Sequence, residues 1–166
     1  MAQVLVVDDS PTEIHVLKTI LEKNGHQVAS AENAEEGIKQ AKAIGPALIL
    51  MDVVMPGMNG YDAAREIKAR ANGYWTPIIF LSALGKGEEQ VRGLEEGGDD
   101  YLTKPVNLDV LDAKIMSMRR IADMQRQLEE TTAELQRYHQ RAEAEQAMAN
   151  SLMERMINQE RLNDEM

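Results

Sequence analysis

The sequence predicts an α/β fold in which a parallel sheet is covered by helices on both faces. Three observations indicate this fold. Five short apolar runs alternate with five segments whose apolar residues recur at helical spacing. All 11 glycines and all 5 prolines lie before residue 106, so the turns are confined to the first two thirds of the chain. Polar residues directly follow four of the strand-like runs, which places them at one edge of the sheet.

The predicted strands are short and mostly apolar. Runs such as ALILM at residues 47–51 lack polar alternation, which is typical of strands that are buried on both faces of a parallel sheet. The five strands are expected at residues 3–7, 26–31, 47–51, 77–81 and 100–102.

The predicted helices carry start and stop signals. Ser10 suits the N-cap of the first helix and Pro11 its first position, while Gly25 ends it. Three further helices are expected at residues 33–43, 60–71 and 88–96, and a last one from residue 108 to about residue 160.

Composition excludes several classes of function. Aspartate and glutamate number 28 against 18 lysines and arginines, for a net charge of -10, which argues against nucleic-acid and anionic membrane partners. The chain has no cysteine, so disulfides and thiolate metal sites are excluded. The N-terminus lacks a signal-peptide pattern, and no apolar run could span a bilayer. We therefore expect a cytoplasmic protein.

Three carboxylates are expected to meet at the carboxyl edge of the sheet. Asp8 and Asp9 follow the first strand and Asp52 follows the third. Such carboxylates would repel one another without a cation, and hard oxygen ligands suit Mg²⁺ or Mn²⁺. We expect Asp9 and Asp52 as direct ligands, Asp8 as a ligand directly or through water, and the backbone carbonyl of Val54 as a further oxygen.

Two other strand ends carry groups that suit phosphoryl chemistry. Aspartate is a known nucleophile in phosphoryl transfer, which makes Asp52 a candidate acceptor. The Ser82 hydroxyl could donate a hydrogen bond to a phosphoryl oxygen, and the Lys104 ammonium could neutralise its charge. The Lys104–Pro105 bond is a favourable place for a cis peptide.

Four segments contain these residues: VLVVDDS at 4–10, LILMDVVMPGMNG at 48–60, PIIFLSA at 77–83 and DDYLTKP at 99–105. In this order they resemble the receiver domain of bacterial two-component response regulators over about residues 1–120. The resemblance implies a flavodoxin-like five-stranded sheet of order 2-1-3-4-5. It also implies that a histidine kinase, a phosphotransfer protein or a small phosphodonor phosphorylates Asp52. The chain would then be a phosphoacceptor capable of self-dephosphorylation and not an enzyme.

In this family a hydroxyl residue and an aromatic residue form the switch, and Ser82 and Tyr101 stand at those positions. The alternative for Tyr101 is a packed aromatic on an edge strand. Outside the site, we expect Trp75 to be a packing residue, Asp99 and Asp100 to lie in a solvated loop, and His26 to lie on the surface.

The last part of the chain predicts a coiled coil. Residues 121–166 form a helical linker whose apolar seam alternates at spacings of three and four, and we expect a marginal parallel homodimer. The alternative is a lone solvated helix. The seam comprises Ile121, Met124, Leu128, Thr131, Leu135, Tyr138, Ala142, Glu145, Ala149, Leu152 and Met156.

Three functions remain open at the level of sequence. The first is a switch that passes phosphorylation through the last helix to an output domain, such as a phosphatase or a diguanylate cyclase, outside this chain. The second is a stand-alone adaptor or a dimerising scaffold with a degenerate receiver. The third is a phosphohydrolase with aspartyl-phosphate chemistry, although no cap insertion is visible.

Overall fold

The protein contains one five-stranded parallel sheet, as the sequence predicts. The computed structural model describes residues 2–70, 75–83, 92 and 95–165. The strands lie in the order β2-β1-β3-β4-β5, which confirms the predicted flavodoxin-like fold. Their bounds are β1 Gln3–Val7, β2 Gln27–Ala31, β3 Leu48–Asp52, β4 Ile78–Ser82 and β5 Asp100–Thr103.

Helices connect the strands, and a capping side chain precedes each of the first three helices. Ser10, Asn33 and Asn59 each accept a hydrogen bond from a backbone N–H three residues further on. The helix expected at residues 88–96 falls largely outside the described residues. The helices are α1 Pro11–Lys23, α2 Ala34–Ile44, α3 Gly60–Ala69 and the C-terminal helix Leu108–Asp164.

The sheet buries a core on each of its faces, because alternate residues of a strand point to opposite sides. One face packs against α2 and α3, and it includes Leu5, Val7, Ile49, Met51, Ile78 and Phe80. The other packs against α1 and the start of the C-terminal helix, and it includes Val4, Val6, Leu48, Leu50, Ile79 and Leu81. With both faces covered, β3 and β4 are buried along their whole length.

The chain divides into two compact units, residues 1–122 and 123–166. The first contains the sheet and its flanking helices. The second is helical, and its large apolar side chains are exposed, among them Leu128 at 68% and Leu135 at 63%. Among the described residues, we find no helix with both the length and the apolar character to cross a membrane.

Asp99 is not the solvated loop residue that the sequence predicts. Its carboxylate accepts hydrogen bonds from the Lys68 ammonium at 2.6 Å, the Trp75 indole N–H at 3.1 Å and the Ile78 backbone N–H at 2.8 Å. Trp75 also packs against the core, as expected. Asp99 therefore links α3 to the start of β4, and its negative charge is paired with the Lys68 ammonium.

His26 also differs from expectation, because it is half-buried. Its Nδ1 atom is shielded from solvent and has no hydrogen-bond partner among the described residues. Burial lowers the pKa of this imidazole, so the neutral form is favoured.

Candidate functional site

The site lies at the carboxyl edge of the sheet, where four strands deliver polar side chains. Asp8 and Asp9 follow β1, and Asp52 ends β3. Ser82 ends β4, and Lys104 directly follows β5. In parallel sheets this edge is the usual place for a ligand. The strand order therefore brings together residues that lie up to 96 positions apart in the sequence.

Asp8, Asp9 and Asp52 form a cluster that could hold a cation. One carboxylate oxygen from each lies within 4.8 Å of the others. Asp8 and Asp52 are buried, whereas Asp9 is exposed. Such a set of hard oxygen donors, open to water on one side, fits Mg²⁺ because this ion keeps several waters and takes one or two carboxylates. The donor chemistry of the described residues therefore fits the predicted metal.

Burial makes negative charge costly at this cluster. It raises the pKa of Asp8 from its ordinary 3.8 to about 7. Burial also raises the pKa of Asp52, although the nearby Lys104 charge opposes that shift. A divalent cation would replace the protons that these carboxyl groups otherwise favour.

Lys104 brings positive charge to the cluster. Its ammonium lies 2.9 Å from an Asp8 oxygen and 3.3 Å from an Asp52 oxygen, and it also contacts Glu13. Burial alone would lower the pKa of Lys104, but its hydrogen bonds with Glu13 and Asp8 outweigh burial and raise it. The ammonium therefore stays charged beside Asp52.

The backbone around Lys104 is held on both sides. Its N–H donates to the Ser82 carbonyl at 2.8 Å, which continues the pairing of β4 with β5. The Lys104–Pro105 peptide bond is cis, which confirms the prediction from the Lys-Pro pair.

Gly60 lets α3 begin directly against the strand that carries Asp52. A Cβ atom at this position would lie 2.1 Å from the Asp52 backbone oxygen, which is far inside the contact limit. The Gly60 N–H donates to the Val53 carbonyl at 2.9 Å and fixes this approach. Only glycine leaves the room for this packing.

The other predicted site residues lie near this edge in different environments. Ser82 is buried, and its strand neighbour Leu81 pairs in register with Asp52. Tyr101 is buried in the core cluster that contains Phe80, so it is a packed residue in this structure. Val54 is 64% exposed. That its backbone carbonyl binds a cation stays a prediction.

Glu13 is a further residue of this site, and no sequence motif predicted it. This residue lies in the first turn of α1, and its carboxylate reaches the Lys104 ammonium. Hydrogen bonds with Asp8 and then with Lys104 lower the pKa of Glu13, so it stays ionised. Its position in the first turn of the helix that directly follows Asp8 and Asp9 is a signal that could have placed it near the cluster.

This fold and donor set define a class of proteins: parallel α/β domains with a carboxylate cluster and a partly buried lysine at the carboxyl edge of the sheet. Residues 4–116 match the family model of the response regulator receiver domain. The chain therefore belongs to the response regulator receiver family, as the resemblance implied.

Known proteins similar to this chain include both short and long regulators. Protein PilH of Pseudomonas aeruginosa is 44% identical over 111 residues, which cover 67% of this chain and 92% of PilH. The phosphate regulon transcriptional regulatory protein PhoB of Escherichia coli is 37% identical over 123 residues, or 74% of this chain and 54% of PhoB. The chain thus matches only about half the length of PhoB.

Solved structures support the same fold. The receiver domain of the Francisella response regulator 1452 aligns with a TM-score of 0.67 at 31% identity, covering 72% of this chain and 98% of that domain. The Vibrio cholerae chemotaxis protein CheY4 aligns with a TM-score of 0.66 at 28% identity, covering 71% and 98%. Both alignments cover nearly the whole of the other chain.

Proposed function

We propose that this chain is a phosphorylation switch in which Asp52 accepts a phosphoryl group. The observation that carries the proposal is the Lys104 ammonium, which lies 3.3 Å from Asp52 beside the cluster of Asp8 and Asp9. A nucleophilic carboxylate, a cation site and a fixed positive charge meet at one point. Membership of the receiver family supports the same assignment.

In the proposed reaction an Asp52 oxygen attacks the phosphorus of a phosphohistidine or of a small acyl phosphate. The new bond joins Asp52 oxygen to phosphorus, and the bond from phosphorus to the donor nitrogen or oxygen breaks. Lys104 pairs with a phosphoryl oxygen, and the Ser82 hydroxyl donates to another. Asp8, Asp9, Asp52 and the Val54 carbonyl would hold Mg²⁺, which when bound would supply positive charge that offsets the carboxylates.

The direct test is transfer of label from radioactive acetyl phosphate or from a phosphorylated histidine kinase. The wild-type chain should take up label in Mg²⁺ and lose the signal when a chelator is present. Asp52→Asn should take up none, because the nucleophilic oxygen is gone. Asp62→Asn is the matched control, since Asp62 is an exposed carboxylate paired with Arg65 on α3. Label on the Asp52→Asn chain would overturn the proposal.

We further propose that phosphorylation changes the environment of Ser82 and Tyr101 and that the C-terminal helix carries the change onward. Residues 1–120 would be the receiver and residues 121–166 a dimerising linker. The recipient would be an output domain or a partner protein, and the phosphodonor a cytoplasmic sensor kinase or phosphotransfer protein.

Exposed apolar residues and charge pattern support a parallel homodimer of the linker. The seam residues Met124, Leu128, Leu152 and Met156 are each more than half exposed in the single chain. In heptad notation the a positions of the seam are Ile121 and every seventh residue after it. In a parallel, in-register pair, the residue before each a position meets the residue five places later in the partner helix. These pairs are Arg120 with Gln125, Gln127 with Thr132, Glu134 with His139, Arg141 with Gln146, Met148 with Met153, and Arg155 with Glu160.

None of these six pairs joins like charges, and the last joins opposite ones. The Met148–Met153 pair widens the apolar contact near the end of the helix, where the seam residues Ala142 and Ala149 bury little. The pattern favours the parallel arrangement but predicts only a weak dimer. A weak dimer suits a helix pair whose association changes with phosphorylation.

A further inference from the structure

We infer that Glu13 opposes phosphorylation electrostatically. It holds the Lys104 ammonium in an ion pair in the unphosphorylated chain and so hinders that ammonium from pairing with a phosphoryl group. This inference rests on the proposed function, because it assigns a role in the same site. Glu13 is a positioning residue here, since it acts through Lys104 and does not itself contact the phosphoryl group.

The hydrogen-bonding capacity of Lys104 is the first support. An ammonium has three N–H donors. Three carboxylates surround Lys104, since Asp8, Glu13 and Asp52 all lie within ion-pair distance of its Nζ atom. A phosphoryl group on Asp52 takes the place of the Asp52 contact, and a further phosphoryl oxygen can reach Lys104 only by displacing or weakening Asp8 or Glu13.

Glu13 is the partner best placed to be displaced. The Asp8 and Asp52 side chains are 1% and 9% exposed, whereas the Glu13 side chain is 45% exposed. A released Glu13 carboxylate can therefore be hydrated, while a released Asp8 carboxylate would lose its partner without gaining water. Glu13 is also in the first turn of α1, where the helix N-terminus favours its negative charge.

Charge at the site gives the direction of the effect. Glu13 adds a fourth negative charge beside three aspartates, so it repels an arriving phosphoryl group and neutralises the lysine that would attract it. Removing this charge should favour anion binding at Asp52. It should leave cation binding unchanged or weaker, because a negative charge near the cation is lost.

The test compares binding of fluoroberyllate, a phosphoryl mimic, in saturating Mg²⁺, followed by fluorine NMR of the full chain. Glu13→Gln should tighten fluoroberyllate binding by about two- to fivefold, the range expected for a half-exposed ion pair. Mg²⁺ affinity, measured without fluoroberyllate, should not increase. Glu22→Gln is the matched control, since Glu22 lies on the same helix in an exposed pair with Lys18 at 4.0 Å. It should change neither affinity.

A double-mutant cycle tests whether the effect passes through Lys104. In a Lys104→Gln background, Glu13→Gln should give a much smaller gain than in the wild type. Equal gains in both backgrounds would overturn the inference, because the effect would then be general charge repulsion. Weaker binding of both Mg²⁺ and fluoroberyllate by Glu13→Gln would also overturn it and indicate structural damage. A wild-type chain that binds no fluoroberyllate would instead contradict the proposed function itself.

Discussion

At the scale of single residues, the site is defined by charges that burial makes costly. Asp8 has the clearest consequence, because burial raises its pKa to about 7, well above its ordinary value of 3.8. The metal-free fold therefore binds more protons than the unfolded chain between these two values. The stability that the folded state gains from protonated Asp8 is fully present below about pH 4 and is lost as pH rises through about 7.

We expect stabilisation by Mg²⁺ to grow steeply as pH rises towards about 7 and to level off above it, because the cation competes with a proton for Asp8. Below the pKa of Asp8, its apparent affinity should rise by up to about tenfold per pH unit. Thermal unfolding with and without Mg²⁺ at several pH values measures this. Asp8→Asn should flatten the dependence, and an equally steep dependence in that variant would rule out Asp8 as its source.

At the scale of secondary-structure elements, the approach of α3 to β3 sets the position of Asp52. Gly60→Ala would place a methyl group against the Asp52 backbone oxygen, and backbone cannot yield as a flexible side chain does. We expect the free energy of unfolding to fall by about 2–3 kcal/mol and labelling of Asp52 to fall with it. Denaturant titration and phosphoryl labelling measure the two effects.

Gly45→Ala provides the control for this prediction. Gly45 has φ of 55° and open space where a Cβ would lie, so alanine there introduces only backbone strain. It should lower the free energy of unfolding by about 1–2 kcal/mol and leave labelling intact. Normal labelling in Gly60→Ala would show that the position of Asp52 tolerates a shift of α3.

The elements also show what the sequence could and could not predict. Strands β1, β3 and β4 were predictable within a residue because each is a continuous apolar run that ends at a polar residue. Asp99 was expected to be solvated, but its carboxylate pairs with Lys68, Trp75 and Ile78, which lie at least 21 positions away in the sequence. Glu13 was missed for the same reason, since its contact with Lys104 spans 91 positions. Periodicity reports which face is buried, but it does not identify a polar partner across the fold.

At the scale of the whole molecule, the proposed dimer makes the chain more than an isolated phosphoacceptor. The absence of cysteine allows a direct test of helix orientation, since any introduced thiol is the only one present. Met124→Cys and Leu152→Cys, made separately, place a thiol at equivalent seam positions four heptads apart. In a parallel, in-register dimer each variant should form a homodimeric disulfide under mild oxidation, because equivalent residues face each other.

An antiparallel pair would bring identical residues together near only one level of the helix. It could therefore cross-link one of the two variants but not both. Ala147→Cys, on the outer side of the proposed pair, should cross-link poorly and serves as the control. Repeating the oxidation with Mg²⁺ and fluoroberyllate measures whether the state of Asp52 reaches the linker. A change in yield at Met124→Cys or Leu152→Cys would support the relay, whereas equal yields would show that the dimer does not respond to the phosphorylation site.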